Sequence, residues 1–183
     1  MTENPNLHPI DKPFGKYTQE ELEKFMVFCI LDRAQPYKKV CDAFDALEKN
    51  GLIYRISLRN AEAEGIAKVL KATGYRFPNQ TARFLHDFGS NPIDLQTSTR
   101  DELVKNILGI GMKLGSMFVR NTRHAKVAVI DIHIKRYLQE HGVTATDYRG
   151  QEKAFLEIAE KLGRDPGELD LEIWEERRVK HLD

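Results

Sequence analysis

Residues 107–113 read Ile107-Leu108-Gly109-Ile110-Gly111-Met112-Lys113, and Asp131 follows eighteen positions after the lysine in Val127-Ala128-Val129-Ile130-Asp131-Ile132-His133. The first stretch predicts a glycine hairpin between two helices. Its glycines permit positive φ and let another backbone come close. The helix that opens after Gly111 presents N–H groups without internal partners, together with the positive end of its dipole. Gly109, Ile110 and Gly111 therefore form a nest that fits a DNA phosphate without any base being read. A lone Gly-x-Gly is just as well an ordinary turn. Here the flanks favour the nest: a leucine before it, a lysine two residues after it, a helix of small residues, then an acid-x-histidine.

The rest of the chain is helical in pattern. Thr18-Gln19-Glu20-Glu21 and Thr99-Arg100-Asp101-Glu102 both have capping-box spacing. The first opens a helix with Leu22, Phe25, Met26, Cys29 and Ile30 on one face. Pro36 starts a second helix through Val40, Phe44 and Leu47, stopped at Asn50-Gly51. Further helices are expected over about 59–72, from Pro78 through Leu85, from 99 to 108, and over about 112–121, 131–140, 150–162 and 166–181. Val127–Ile130 is the one β-like run, short enough to be a buried connector. Eight or so short helices with tight connections make an all-α protein.

Composition narrows the class. The 183 residues are 41% hydrophobic and 31% charged, which fits a folded globular chain. No apolar run approaches the roughly 20 residues of a membrane span. The N-terminus lacks the basic-then-apolar layout of a signal peptide, so a cytoplasmic or otherwise intracellular location is expected. Lys plus Arg equals Asp plus Glu, 28 each. That balance argues against a strongly basic nucleic-acid carrier but leaves local patches free to set the field at a groove. Lys105, Lys113, Arg120, Arg123, Lys126, Lys135 and Arg136 gather in one third of the chain. Cys29 and Cys41 are too few for a four-cysteine iron–sulfur cluster and read as buried free thiols.

Lys113 is a candidate nucleophile. A free lysine has a pKa of about 10.4 and stays protonated at neutral pH. It attacks carbon only when desolvated or placed in positive potential, and a helix N-terminus supplies such potential. The competing reading is a solvated lysine that holds phosphate. Asp131 is the candidate acid, placed to relay the lysine proton and to stabilise positive charge on a sugar. It also reads as the N-cap of the 131–140 helix, and the two roles can coexist.

Gly109-Ile110-Gly111-Met112-Lys113-Leu114-Gly115-Ser116-Met117-Phe118-Val119-Arg120-Asn121, with Val129-Ile130-Asp131-Ile132-His133, resembles the signature of the helix-hairpin-helix DNA glycosylases. Its Phe-x-Arg-Asn ending and the compact length are most similar to the second, archaeal-type family of 8-oxoguanine DNA glycosylase/AP lyases. The match is strongest over residues 103–138. It implies a two-lobed helical fold with a DNA-binding cleft between the lobes. The expected layout is one unit over residues 1–183, with the hairpin motif at about 103–121. One lobe is expected at about 30–140, the other from the N-terminal arm plus 141–183. The implied activity is excision of 8-oxoguanine from duplex DNA through a Lys113 Schiff base, followed by β-elimination. The resemblance implies no obligatory metal or organic cofactor, leaves room for a monovalent cation at the hairpin carbonyls, and implies a monomer acting on double-stranded DNA, nucleoid-associated in the cytoplasm.

Further site residues follow from chemistry and resemblance together. Extruding a nucleotide requires a group to fill the hole. Arg76-Phe77 supplies an aromatic wedge and a guanidinium for the orphaned base, although Phe77 can equally pack in the core. Gln35 has a family counterpart near the same gap, and the resemblance gives His133 a phosphate contact. It also implies base contacts from Phe118, from Trp174, and from the terminal residue. That residue is Asp183 here, where the family usually ends in lysine. Trp174 in the core is the alternative. Three rival functions remain open: another damaged base such as an oxidised pyrimidine, a DNA-binding module without chemistry, and a helical protein-interaction domain, which would show no salt-dependent DNA affinity.

Overall fold

A computed structural model describes residues 8–12, 14–15 and 17–179. A short 3₁₀ turn at Pro9–Asp11 precedes ten helices among those residues: α1 (Gln19–Leu31), α2 (Tyr37–Lys49), α3 (Arg55–Asn60), α4 (Ala63–Ala72), α5 (Pro78–Ser90), α6 (Arg100–Asn106), α7 (Met112–Arg123), α8 (Ile132–Glu140), α9 (Tyr148–Lys161) and α10 (Pro166–Val179). No strand occurs among them, and none of the helices is long and apolar enough to cross a membrane.

Local signals fix most helix starts. Both capping boxes form: Thr18 and Thr99 each accept from the N–H of the glutamate three residues on, and each glutamate reaches back to the cap N–H. Pro36 is the N-cap of α2 rather than its first helical residue. The helix expected over about 59–72 is two helices, α3 and α4, which break at Ala61-Glu62. Packing decides this. Gly89 of α5 lies so close to α3 that a Cβ there would fall 2.5 Å from Arg59 N. A short, separately aimed α3 can meet α5 this closely while α4 turns its own Ile66 and Leu70 inward.

Two hydrophobic cores result. The larger collects Phe25 and Phe28 of α1, Phe44 of α2, Leu58 of α3, Leu70 of α4, Phe88 of α5 and Phe118 of α7. Full burial of such side chains stabilises by about 1.5–3 kcal/mol each. The smaller collects Ile134 and Leu138 of α8, Phe155 of α9 and Ile173 of α10. This division differs from the expected lobes. Helix α1 packs in the larger core and α8 in the smaller one, so the boundary falls at the 127–131 connector rather than near residue 140.

The connector explains its own β-like sequence. Val129 points into the larger core, while Ala128 and Ile130 point into the smaller. An extended chain between two cores needs alternate side chains on opposite sides, which is strand periodicity without a strand partner. Side chains satisfy its backbone instead. Glu152 Oε1 accepts from Ala128 N–H at 3.2 Å, Asp170 Oδ2 from Val129 N–H at 2.8 Å, and Tyr148 Oη from Ile130 N–H at 3.3 Å. Tyr148 Oη also lies 2.8 Å from Ala128 O, to which it donates. Buried backbone groups left unpaired would be costly, so this strap is what holds Asp131 at the start of α8.

Candidate active site

The hairpin is built as its sequence demands. Gly109 has φ +88°, and a Cβ there would lie 2.7 Å from Phe84 Cδ2. Glycine is required on both counts. Ile110 buries its side chain in the larger core, while Leu108 stays 51% exposed. Gly111 is the exposed N-cap of α7, with open space where a Cβ would stand. The N–H groups of the first turn of α7 therefore open outward, with Lys113 in that turn.

A cleft of about 1150 Å³ runs between the two cores. It exceeds the roughly 300–1,000 Å³ of most small-ligand pockets, which leaves room for an extruded nucleotide and part of its backbone. Asp32 and Gln35 line it after α1, Lys113 and Met117 from α7, Asp131 and His133 at the start of α8, and Trp174 from α10.

Within the cleft, Lys113 Nζ donates to Asp32 Oδ2 at 2.7 Å. Asp32, not Asp131, is thus the carboxylate that holds the lysine. Asp131 is turned toward its own helix, where Oδ1 accepts from the N–H groups of His133 and Ile134 at 2.8 and 2.9 Å. The N-cap reading of Asp131 holds, and the same side chain faces the cleft. Asp32 is the C-cap of α1. An acid at the negative end of a helix is locally unfavourable, and that is the one sequence signal that points to it.

The other expected residues fall in different places. Gln35, His133 and Trp174 are in the cleft wall. Trp174 is half-buried, with its ring edge-on to Tyr37 at 5.7 Å and 72°. Gln35 Nε2 is buried and has no hydrogen-bond partner in the protein. Arg76 and Phe77 lie apart from the cleft wall, at the start of α5. Phe77 is 44% exposed, which overturns its core-packing alternative, and the Arg76 guanidinium sits 5.7 Å from its ring centre. Phe118 corrects an expectation. It is fully buried in the larger core, stacked on Phe25 at 5.8 Å, and so faces away from any base. The helical period decides this: five residues after Lys113, Phe118 falls on the opposite side of α7. Asp183 lies outside the described residues.

Beneath the cleft, buried polar groups tie the two cores together. Arg120 Nη1 pairs with Asp170 Oδ2 at 2.8 Å, both almost wholly buried, and Arg120 Nε donates to Asn121 Oδ1 at 2.9 Å. Burial pushes the Asp170 carboxyl above the usual carboxylate range, against the pull of Arg120 and the Val129 N–H. Arg100 pairs with Glu152 and donates to Ser116 Oγ at 3.0 Å. Burial also pushes up the Cys29 thiol under the cleft and the Tyr148 hydroxyl in the strap. Among the described residues no group of three or more His, Cys, Asp or Glu is placed to hold a metal ion.

A lysine and two acids in one interlobe cleft, with a glycine hairpin opening the lysine's helix, point to a family, and comparison with known proteins identifies it. Residues 7–169 match the profile of 8-oxoguanine DNA glycosylase. The chain belongs to the 8-oxoguanine DNA glycosylase family. It is 31% identical over 176 residues to the 8-oxoguanine DNA glycosylase/AP lyase of Thermoplasma volcanium, covering 89% of this chain and 83% of that relative. The 8-oxoguanine DNA glycosylase of Thermotoga maritima superposes with a TM-score of 0.71 at 27% identity, covering 86% of this chain and 79% of its own. The Methanocaldococcus jannaschii 8-oxoguanine glycosylase/lyase, crystallised with a 15mer DNA containing 8-oxoguanine, superposes with a TM-score of 0.71 at 25% identity. That match covers 95% of this chain and 86% of the other. Membership of this family accords with a cleft wide enough for a nucleotide beside an outward-opening glycine hairpin.

Proposed function

We propose that this chain excises 8-oxoguanine from duplex DNA and cuts the resulting abasic strand, with Lys113 as the nucleophile of both steps. The observation that carries the reading is the placement of Lys113 and Asp131 in one interlobe cleft, with the outward-facing hairpin N–H groups a single turn away. The hairpin holds a phosphate of the lesion strand. The extruded nucleotide enters the cleft, where Trp174 offers a face for stacking and Gln35 a side-chain amide in the wall beside the base edge. Exposed Phe77 fills the space left in the duplex. Lys113 Nζ attacks the sugar C1′, and the base leaves with the electrons of the glycosidic bond. Asp131, held in place by its cap bonds, stabilises the positive charge that develops on the sugar. Ring opening gives a Schiff base, and β-elimination breaks the C3′–O bond. One chain supplies every one of these groups, which supports a monomer as the acting unit.

Sodium borohydride reduces a Schiff base to a stable secondary amine. Incubating the protein with an 8-oxoguanine duplex and borohydride is expected to give a covalent protein–DNA band on a denaturing gel. Lys113→Gln is expected to lose both the band and strand cleavage while still shifting the duplex. A Lys113→Gln protein that still traps DNA overturns the assignment. A protein that shifts lesion DNA and never nicks it is a binding module only.

A further inference from the structure

Asp32 and Lys113 are 81 residues apart in sequence and 2.7 Å apart in the cleft. Their setting is unfavourable to both charges. Asp32 caps the C-terminus of α1, the negative end of that helix, and Lys113 is in the first turn of α7, at the positive end of its own. Each helix opposes the charge it carries. A pair that served only to tie α1 to α7 would sit more favourably with the signs reversed. Moving one proton from Nζ to Oδ2 removes both opposed charges at once.

We propose that Asp32 is the base that deprotonates Lys113, leaving Asp131 as the fixed anion beside the sugar. The inference rests on Lys113 being the nucleophile. In the free protein the Lys113 and Asp32 side chains are 37% and 21% exposed, so water screens the ion pair. DNA that covers the cleft expels this water. Two charges in a dry site cost more than their neutral forms, and the proton passes to Asp32. The N–H bond of the ammonium breaks and the O–H bond of Asp32 forms. The lone pair left on Nζ then makes the bond to C1′. The base departs with the C1′–N electrons and takes the proton back from Asp32, and ring opening moves a proton from Nζ to the sugar ring oxygen. Asp131 is less suited to this part because the N–H groups of His133 and Ile134 already bond its Oδ1, which steadies its carboxylate as an anion.

The neighbouring charges are otherwise engaged. Arg120 is held by Asp170, and Arg33 by Gln80 and the Phe84 ring. The Tyr75 hydroxyl donates to Leu31 O at 2.6 Å, and the Cys29 thiol beneath the pair is kept neutral by burial. His133 and Asp131 line the same cleft.

The test is the single-turnover excision rate on an 8-oxoguanine duplex, measured from about pH 6 to pH 10 for the wild type, Asp32→Asn and Asp32→Glu. A lost general base costs about 10²–10⁴-fold. Asp32→Asn is therefore expected to lose at least about 100-fold at neutral pH and to regain about tenfold per pH unit, as solvent takes over removal of the lysine proton. Asp32→Glu is expected to restore much of the neutral-pH rate, and the duplex affinity of Asp32→Asn should not fall. Wild-type rates at every pH, or a loss that is the same at every pH, overturn the proposal, because a purely structural residue gives the second pattern. Each variant is melted first, and Asp32→Ser replaces an asparagine variant that does not fold. Borohydride trapping separates the two possible failures. If the wild type traps DNA and Asp32→Asn matches it in rate and profile, only the Asp32 role falls. If the wild type never traps, the Lys113 reading falls and takes this proposal with it.

Discussion

Asp131 caps α8 with one carboxylate oxygen and faces the cleft with the same side chain. Two substitutions separate the roles. Asparagine keeps an oxygen for the two N–H groups and ranks with aspartate as an N-cap, whereas alanine loses the cap at about 1 kcal/mol. Asp131→Asn is therefore expected to melt close to the wild type yet excise 8-oxoguanine at least about 100-fold more slowly, the usual scale for a lost electrostatic stabiliser. Asp131→Ala should show the same catalytic loss and a lower melting point. Equal rates for Asp131→Asn and wild type would leave Asp131 a cap and nothing more. Residue type and spacing made this site partly legible. Lys113 and Asp131 announce themselves because an amine and a lone acid each sit at a helix start. Asp32 does not, because its partner is a residue no local pattern connects to it. Phe118 misled because proximity to Lys113 in the chain says nothing about which side of α7 a ring occupies.

The hairpin shows how two glycines of one motif serve different ends. Gly109 is fixed by the fold: its φ of +88° and the Phe84 ring 2.7 Å from a would-be Cβ both reject a side chain. Gly109→Ala is expected to cost about 1–3 kcal/mol in a urea melt, the scale of a strained backbone residue. Gly111 has φ −101° and open space around it. Gly111→Ala should cost at most about 1 kcal/mol as a weaker N-cap, while its new methyl group would crowd the phosphate site proposed at the α7 N–H groups. Weaker duplex binding by this variant, with its melting nearly unchanged, is the expected result of a filter-binding assay. Undiminished affinity would move the phosphate site elsewhere. Helix starts were readable because capping boxes, prolines and glycines act within four residues of themselves. The α3–α4 break was not, because it depends on Gly89, more than two dozen residues away. The connector was readable in composition but not in cause: alternation between two cores writes the same pattern as a strand.

At the scale of the molecule, the cleft exists because two cores are held apart and aligned by buried charge. Periodicity identified the helices, but not which of their faces share a core, so the expected lobe boundary fell one helix too late. Arg120 and Asp170 span that boundary from α7 to α10, and Asp170 also holds the connector through Val129 N–H. Their removal should be unequal. Asp170→Asn keeps an acceptor for Val129 but leaves the Arg120 guanidinium buried and unpaired, a charge that cannot be shed. The expected cost is about 3–5 kcal/mol at pH 7. Arg120→Met leaves a buried carboxyl that burial already pushes above the usual carboxylate range. An acid whose folded pKa is raised penalises the fold only when ionised. The penalty is absent below the unfolded pKa of about 3.8 and grows as the pH rises toward and through the folded value. Urea melts at pH 4 and pH 7 are thus expected to show Arg120→Met losing distinctly more stability, relative to wild type, at the higher pH. The double variant Arg120→Met/Asp170→Asn should recover part of either loss, since no lone charge remains. Equal losses for Arg120→Met at both pH values would mean that water reaches the carboxylate and that the two lobes are not sealed at their base.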